Sequence, residues 1–253
     1  MNFSFRTAHS SMECFIVDQQ DVNEEERSLV LKGDEAHHVR VLRIRTEEKV
    51  LVTNLLGTCY ECELDSVSDK STKEPEAVCH ILGVLPSFGE PENNVMLIQA
   101  LIAQPARWEW LLEKATELGV KVIQPITSER TERSNVNLGR AERILRAAVK
   151  QTKRANMPWL KELSSLEEAL IVAVRDNRRI YLLHEATDAS KRLDRELNGV
   201  GNDRLAIVVG PEGGFSDAEV AQALLLEAHP VSLGRRRLRA ETAAIAALAI
   251  VIQ

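Results

Sequence analysis

The last fifth of the chain, Leu205 to Gln253, constrains the fold most. It holds two apolar runs, Leu205–Val209 and Val231–Leu233, each ended by glycine and each followed by a helix start. A continuous apolar run of that length fits a strand covered on both faces. A glycine-rich turn at the carboxyl end of such a strand is where an open α/β sheet takes its ligand. Two such turns in one short segment point to one pocket built from both.

In the first turn, Gly210, Gly213 and Gly214 permit backbone angles closed to other residues and let a ligand approach the main chain. Ser216, with Glu219 three residues on, predicts a capping box, and Phe215 and Val220 occupy the staple positions. A helix N-terminus with free amides follows. An ordinary strand–turn–helix connection is the alternative. No Gly-Lys-Ser/Thr follows and no G-x-G-x-x-G is present, which excludes a P-loop and a dinucleotide fingerprint. In the second turn, Gly234 leads into Arg235, Arg236, Arg237 and Arg239. Glu241–Gln253 is then almost wholly apolar, the mark of a buried helix.

These segments, G-P-E-G-G-F-S-D-A-E-V and L-G-R-R-R-L-R-A-E-T-A-A-I-A-A-L, closely resemble the two signatures of the bacterial 16S ribosomal RNA uridine-N3 methyltransferases, of the SPOUT superfamily. His37-His38-Val39 with Val41-Leu42-Arg43 resembles the family's N-terminal signature. Trp108–Val120 resembles its central helix, and Ala147–Arg154 with Pro158 another recurrent segment. The resemblance spans residues 12 to 253. It implies an α/β fold: a C-terminal SPOUT domain with a mainly parallel sheet and a trefoil knot, plus a small N-terminal PUA-like β-barrel that docks RNA. It implies S-adenosyl-L-methionine as cofactor, held bent against main-chain groups of three loops. Leu183, His184 and Glu185 form the first; Gly210, Pro211, Glu212, Gly213 and Gly214 the second; Leu233, Gly234, Leu238 and Thr242 line the third. Its partners would be 16S rRNA, within the small ribosomal subunit, and a second copy of the chain in a homodimer.

The implied chemistry is methylation of an imide nitrogen, which must lose its proton to become a good nucleophile. The uridine must be unpaired or flipped, because N3 is engaged in any Watson–Crick pair. Aligning N3 with the methyl carbon is the main source of rate. Arg239 is the candidate to stabilise the uridine anion, Glu241 to hold Arg239 or assist proton removal, and Glu212 to orient the cofactor end. A capping or salt-bridge role suits each acidic residue equally well. The chain departs from its relatives at Arg235, where they carry proline, and at Arg237, where they carry an aliphatic residue. Arg237 therefore either points outward or alters the cofactor fit. The family's lysine before the central helix is also replaced, and Arg107 is the candidate to take its place.

Charge is distributed unevenly. The net charge is −6, and residues 1–80 hold 9 Lys/Arg against 16 Asp/Glu. That argues against nonspecific coating of nucleic acid. Arg130 to Arg154, by contrast, holds eight basic residues against Glu132 and Glu142, enough to neutralise phosphates or to form a solvated helix face. The RNA-binding candidates are Arg130, Arg133 and Arg154 there, Arg236 in the arginine loop, and Arg40 and Arg43 near the N-terminus.

The remaining pattern divides the chain. Met1–Ser11 is an expected extension, 12–86 a run of short strands forming the barrel, 87–94 a linker by composition, and 95–253 the methyltransferase domain. Cys59 and Cys62 have C-x-x-C spacing, but no second pair completes a metal site. Reduced structural thiols and no metal are expected of them and of Cys14 and Cys79. No apolar leader or membrane span is apparent, so a cytoplasmic enzyme is expected. The alternatives are a SPOUT enzyme with another RNA target, such as a ribose 2′-hydroxyl, and a noncatalytic ribosome-assembly factor.

Overall fold

The structure, a computed structural model, describes residues 11–69, 73–188, 190–197 and 204–252. The expected extension, except Ser11, lies outside them. The chain forms two compact units, one running to Glu90 and including Val149–Met157, the other comprising Pro91–Ala148 and Pro158–Gln253.

Among the described residues, the first unit is a six-stranded sheet with one α-helix of its own and a short 3-10 turn at Gln19–Asp21. Its elements are β1 (Cys14–Ile16), β2 (Val22–Asn23), β3 (Ser28–Lys32), α1 (Gly33–Leu42), β4 (Lys49–Thr53), β5 (Thr58–Val67) and β6 (Glu76–Pro86). The order is β1-β4-β5-β6-β3-β2, antiparallel except for β1 beside β4. Successive strand residues face opposite sides, and this separates the C-x-x-C pair. Cys62 packs with Cys79, Phe15 and Tyr60 in one core, whereas Cys59 packs with Cys14 and Leu51 in another. All four thiols are free and buried.

The returning segment Val149–Met157 completes this unit. Arg154 is 1% exposed and donates to both carboxylate oxygens of Glu90 at 3.2 and 2.9 Å. Lys150 donates to Glu35 at 2.9 Å, lies 3.2 Å from His38 Nδ1, and sits over the Phe15 ring. His38 of the H-H-V motif is thus part of a packed network.

The second unit alternates strands and helices: β7 (Asn94–Ala100), α2 (Pro105–Leu118), β8 (Val122–Thr127), α3 (Leu138–Thr152, its last turns in the first unit), β9 (Trp159–Leu160), β10 (Ser164–Ser165), α4 (Leu166–Arg175), β11 (Arg179–Leu183), α5 (Leu193–Glu196), β12 (Arg204–Val209), α6 (Asp217–Leu225), β13 (His229–Val231) and α7 (Ala240–Val251). The sheet runs β10-β8-β7-β12-β11-β13, with β9 beside β8, and every pairing is parallel. β12, the apolar run before the first glycine turn, lies in the middle, with Leu205 to Val209 all buried. That is why it carries no polar alternation.

β13 begins two residues earlier than the apolar run Val231–Leu233 predicts. Ser232 leaves the ladder because its backbone is taken by the loop after β11: its amide donates to Lys191 O at 2.9 Å, and its carbonyl accepts from Leu193 N at 3.0 Å. From this sheet edge the chain returns to the middle, where α7 packs on β7, β12 and α2. Such a crossing is what the expected trefoil requires. α7 buries Ala240, Ala244, Ala247, Leu248 and Val251, but Ile245, Ala246, Ala249 and Ile250 stay half-exposed. The expectation of a fully buried helix is corrected: one apolar face remains partly open. Among the described residues, no helix is long and apolar enough to cross a membrane.

Candidate active site

The site is built where the loops after β11, β12 and β13 leave the carboxyl ends of their strands. Backbone bonds join the first to the third: His184 N donates to Val231 O at 3.1 Å. An exposed ion pair adds to this, with Arg237 Nε 3.4 Å from Glu185. Arg237 therefore points outward, and exposed as this pair is, its contribution is small. Leu183 and Leu233 are half-buried at the loop bases, while Leu238 and Thr242 are exposed.

The glycine turn after β12 is fixed from several sides. Ser216 Oγ accepts from Glu219 N at 3.3 Å, and Glu219 accepts from Ser216 N at 2.8 Å, closing the predicted capping box. Phe215 and Val220 pack in one core cluster, as a hydrophobic staple should. Glu212 accepts the Ala103 amide at 3.2 Å. Arg130 Nη1 donates to Gly213 O at 2.8 Å and Phe215 O at 3.4 Å. Arg130, an RNA-binding candidate that remains exposed, thereby also clamps the turn. That contact links residues 83 apart in the chain and left no trace in local sequence.

The four glycines divide into two kinds. At Gly210 a Cβ would meet the Phe215 ring at 3.2 Å, and at Gly213 the Arg130 side chain at 3.3 Å. At these two positions a side chain would crowd its neighbours, while the main chain is half-buried at Gly210 and exposed at Gly213. Gly214 has φ +71, and a Cβ there would meet nothing within 4 Å. Gly234 has φ +118, and a Cβ there would meet only an Arg192 nitrogen, at 3.6 Å. Both glycine turns therefore hold main chain that is not fully buried, as a cofactor held by backbone groups needs.

Glu241 and Arg239 stand at the start of α7. Arg239 is its N-cap residue, exposed, and makes no side-chain capping bond. Glu241 is 6% exposed. Its Oε1 lies 3.5 Å from Arg107 Nε, and its Oε2 is buried with no hydrogen-bond partner among the described residues. A buried acceptor left unsatisfied costs roughly 1–3 kcal/mol, so a donor is expected to reach it during function. Arg107, the third residue of α2, thus lies beside Glu241.

The remaining RNA candidates are scattered. Arg236 and Arg43 are exposed. Arg40 is half-buried and donates to Ser68 O, Ser68 Oγ and Asp69 O, which holds it to its own unit. Arg154 is corrected: buried against Glu90, it is a structural residue with no surface to offer. Arg133 is half-buried, with Nη1 buried and unpartnered.

With this geometry in hand, comparison with known proteins is direct. Residues 90–252 match the RNA methyltransferase domain family, and residues 31–72 match the RNA methyltransferase PUA domain. Ribosomal RNA small subunit methyltransferase E of Mesomycoplasma hyopneumoniae is 28% identical over 230 residues, covering 88% of this chain and 94% of that protein. The Bacillus subtilis protein of the same name is 26% identical over 243 residues, covering 90% and 91%. The crystal structure of ribosomal RNA small subunit methyltransferase E from Neisseria gonorrhoeae, bound to S-adenosyl methionine, superposes with a TM-score of 0.77 at 27% identity, covering 94% of this chain and 95% of that one. The parallel sheet with its open glycine loops, the PUA-like sheet before it and these matches lead to one conclusion: the chain belongs to the RNA methyltransferase family of SPOUT fold, together with the small-subunit rRNA methyltransferases E.

Proposed function

We propose that the protein methylates N3 of one uridine in 16S rRNA, with S-adenosyl-L-methionine as donor, in the cytoplasm and on the small ribosomal subunit. The observation that carries the chemistry is the buried Glu241 carboxyl, one oxygen without a partner among the described residues, two positions after the exposed Arg239 at the start of the helix that follows the Gly234 loop. The main chain at Gly214 and Gly234, with the loop at Leu183–Glu185, would hold the cofactor. When bound, the cofactor supplies an electrophilic methyl whose bond to sulfur breaks as the new bond to N3 forms.

This chain's residues do the rest. Glu241 Oε2 takes the N3 proton, and Arg107 keeps the carboxyl in place from the Oε1 side. Arg239, free of any capping bond, offers its guanidinium to the charge that develops on the uracil oxygens, where a preorganised donor has most effect. Arg43 and Arg236, both exposed, are among the candidates for phosphate contacts. The half-exposed apolar face of α7 supports a homodimer built on an isologous contact. Equilibrium sedimentation at micromolar concentration should show the dimer, and a lone monomer would remove it.

A reverse-transcription assay tests the methylated atom. A methyl on N3 blocks Watson–Crick pairing, so treated small subunits should give one new strong stop at a single uridine. A ribose 2′-O-methyl leaves the pairing edge intact, and a stop seen only at limiting nucleotide would favour that target instead.

A further inference from the structure

A second set of unsatisfied groups lies between α2 and the start of α3. A small cleft there, open to solvent, is lined by Pro105, Trp108, Glu109, Arg133, Asn137 and Arg140, among others. Trp108 is 2% exposed. Its indole Nε1 and Arg133 Nη1 are both buried, and neither has a hydrogen-bond partner among the described residues. Both groups are donors only, so what is missing is an acceptor. Two orphaned donors in one cleft are a repeated cost that packing alone does not explain.

The electrostatics specify which acceptor. Arg140 is held by Glu109 through two hydrogen bonds, at 3.1 and 2.9 Å. The Glu109 carboxyl is kept below the usual carboxylate range first by those bonds, with Arg133 and Arg143 adding to the effect. Three guanidinium groups thus act on one carboxylate, and Arg133 forms no direct ion pair among the described residues. Two helices also begin here. Pro105 is the first residue of α2, and Asn137 accepts the Arg140 amide at 3.0 Å at the start of α3. Neither first turn holds an acidic residue, so both positive helix ends are uncompensated. A water could accept from the two donors but would leave this positive excess standing, whereas an anion answers both.

We infer that this cleft binds a backbone phosphate of the RNA substrate, with the Trp108 indole N–H and the Arg133 guanidinium as its donors. The inference rests on the proposed rRNA methyltransferase function and adds a substrate subsite to it. Arg133 is then a substrate-positioning residue, distinct from Arg130, which clamps the glycine turn.

The test uses the full-length protein. In nitrogen-labelled protein the Trp108 Nε1–H resonance is identified by its loss in Trp108→Phe. It is then followed during titration with inorganic phosphate and with a uridine-containing RNA oligonucleotide. Both should move it to a saturating new position, and Arg133→Ala should abolish the movement. In parallel, binding of small-subunit rRNA is measured across salt concentration. Losing one phosphate contact should lower the log–log salt slope by about 0.7–0.9, while affinity for S-adenosyl-L-methionine stays as in wild type. A resonance indifferent to both probes overturns the inference. So does a phosphate-induced shift with an unchanged salt slope, which would mark an adventitious anion site only. Wild-type methyl transfer to the same RNA is recorded alongside. A protein that methylates, and whose Arg133→Ala variant keeps the slope, refutes the cleft alone. One that does not methylate refutes the function, while the indole titration still tests the cleft.

Discussion

At residue scale, one buried oxygen separates this helix N-terminus from an ordinary one. Glu241 is almost inaccessible, yet its Oε2 has no donor among the described residues. A Glu241→Gln variant keeps the volume and the Arg107 neighbour but can no longer take a proton. Its single-turnover transfer rate should fall by about 10²–10⁴, with cofactor affinity near wild type. A rate within a factor of a few would assign the proton to another acceptor. Arg154 makes the opposite case. Removing one member of a buried ion pair leaves the other uncompensated, at about 3–5 kcal/mol. Arg154→Ala should therefore lower the urea midpoint sharply, and adding Glu90→Ala should recover part of the loss. The sequence could not separate these roles. Arg130, Arg133 and Arg154 look alike within one basic stretch, and what distinguishes them is a glycine-loop carbonyl, a cleft and a buried glutamate, each contributed by residues remote in the chain.

At the scale of elements, much more was legible. The strand β12 and the capping box and staple at the start of α6 follow from local pattern, because caps and apolar runs act over a few residues. β13 was displaced by two residues because Ser232 finds its partners in a loop about 40 residues earlier, which periodicity cannot express. The glycine turns were located correctly, but which of their positions would tolerate a side chain was not: at Gly214 a Cβ would meet nothing within 4 Å, whereas at Gly210 it would meet the Phe215 ring. Gly214→Ala places a side chain in the left-handed region, at a cost of roughly 1–2 kcal/mol, in space otherwise empty. Cofactor affinity measured by calorimetry should drop more than the stability change accounts for, whereas equal losses would make Gly214 a folding residue only.

At the scale of the whole molecule, the return of Val149–Met157 to the first unit was not legible, since it depends on the Arg154–Glu90 pair and the Lys150–Glu35 contact. All four cysteines lie in the first unit and are buried there. Burial pushes Cys14, Cys59 and Cys79 from 9.0 up to about 12, and Cys62 up as well. Between those values the unfolded chain loses thiol protons that the folded chain keeps, so these groups remove stability as pH rises above about 9. Urea unfolding should weaken through that window, and a thiol reagent at pH 8 should label four cysteines only after unfolding. Fast labelling of the native protein would contradict the burial. The account as a whole stands or falls on the reaction product. Small subunits lacking modifications are incubated with labelled S-adenosyl-L-methionine and the protein, and the labelled nucleoside is identified by mass spectrometry. The account predicts 3-methyluridine at one site. A ribose-methylated nucleoside, or no transfer by a preparation that still binds the cofactor, would contradict it.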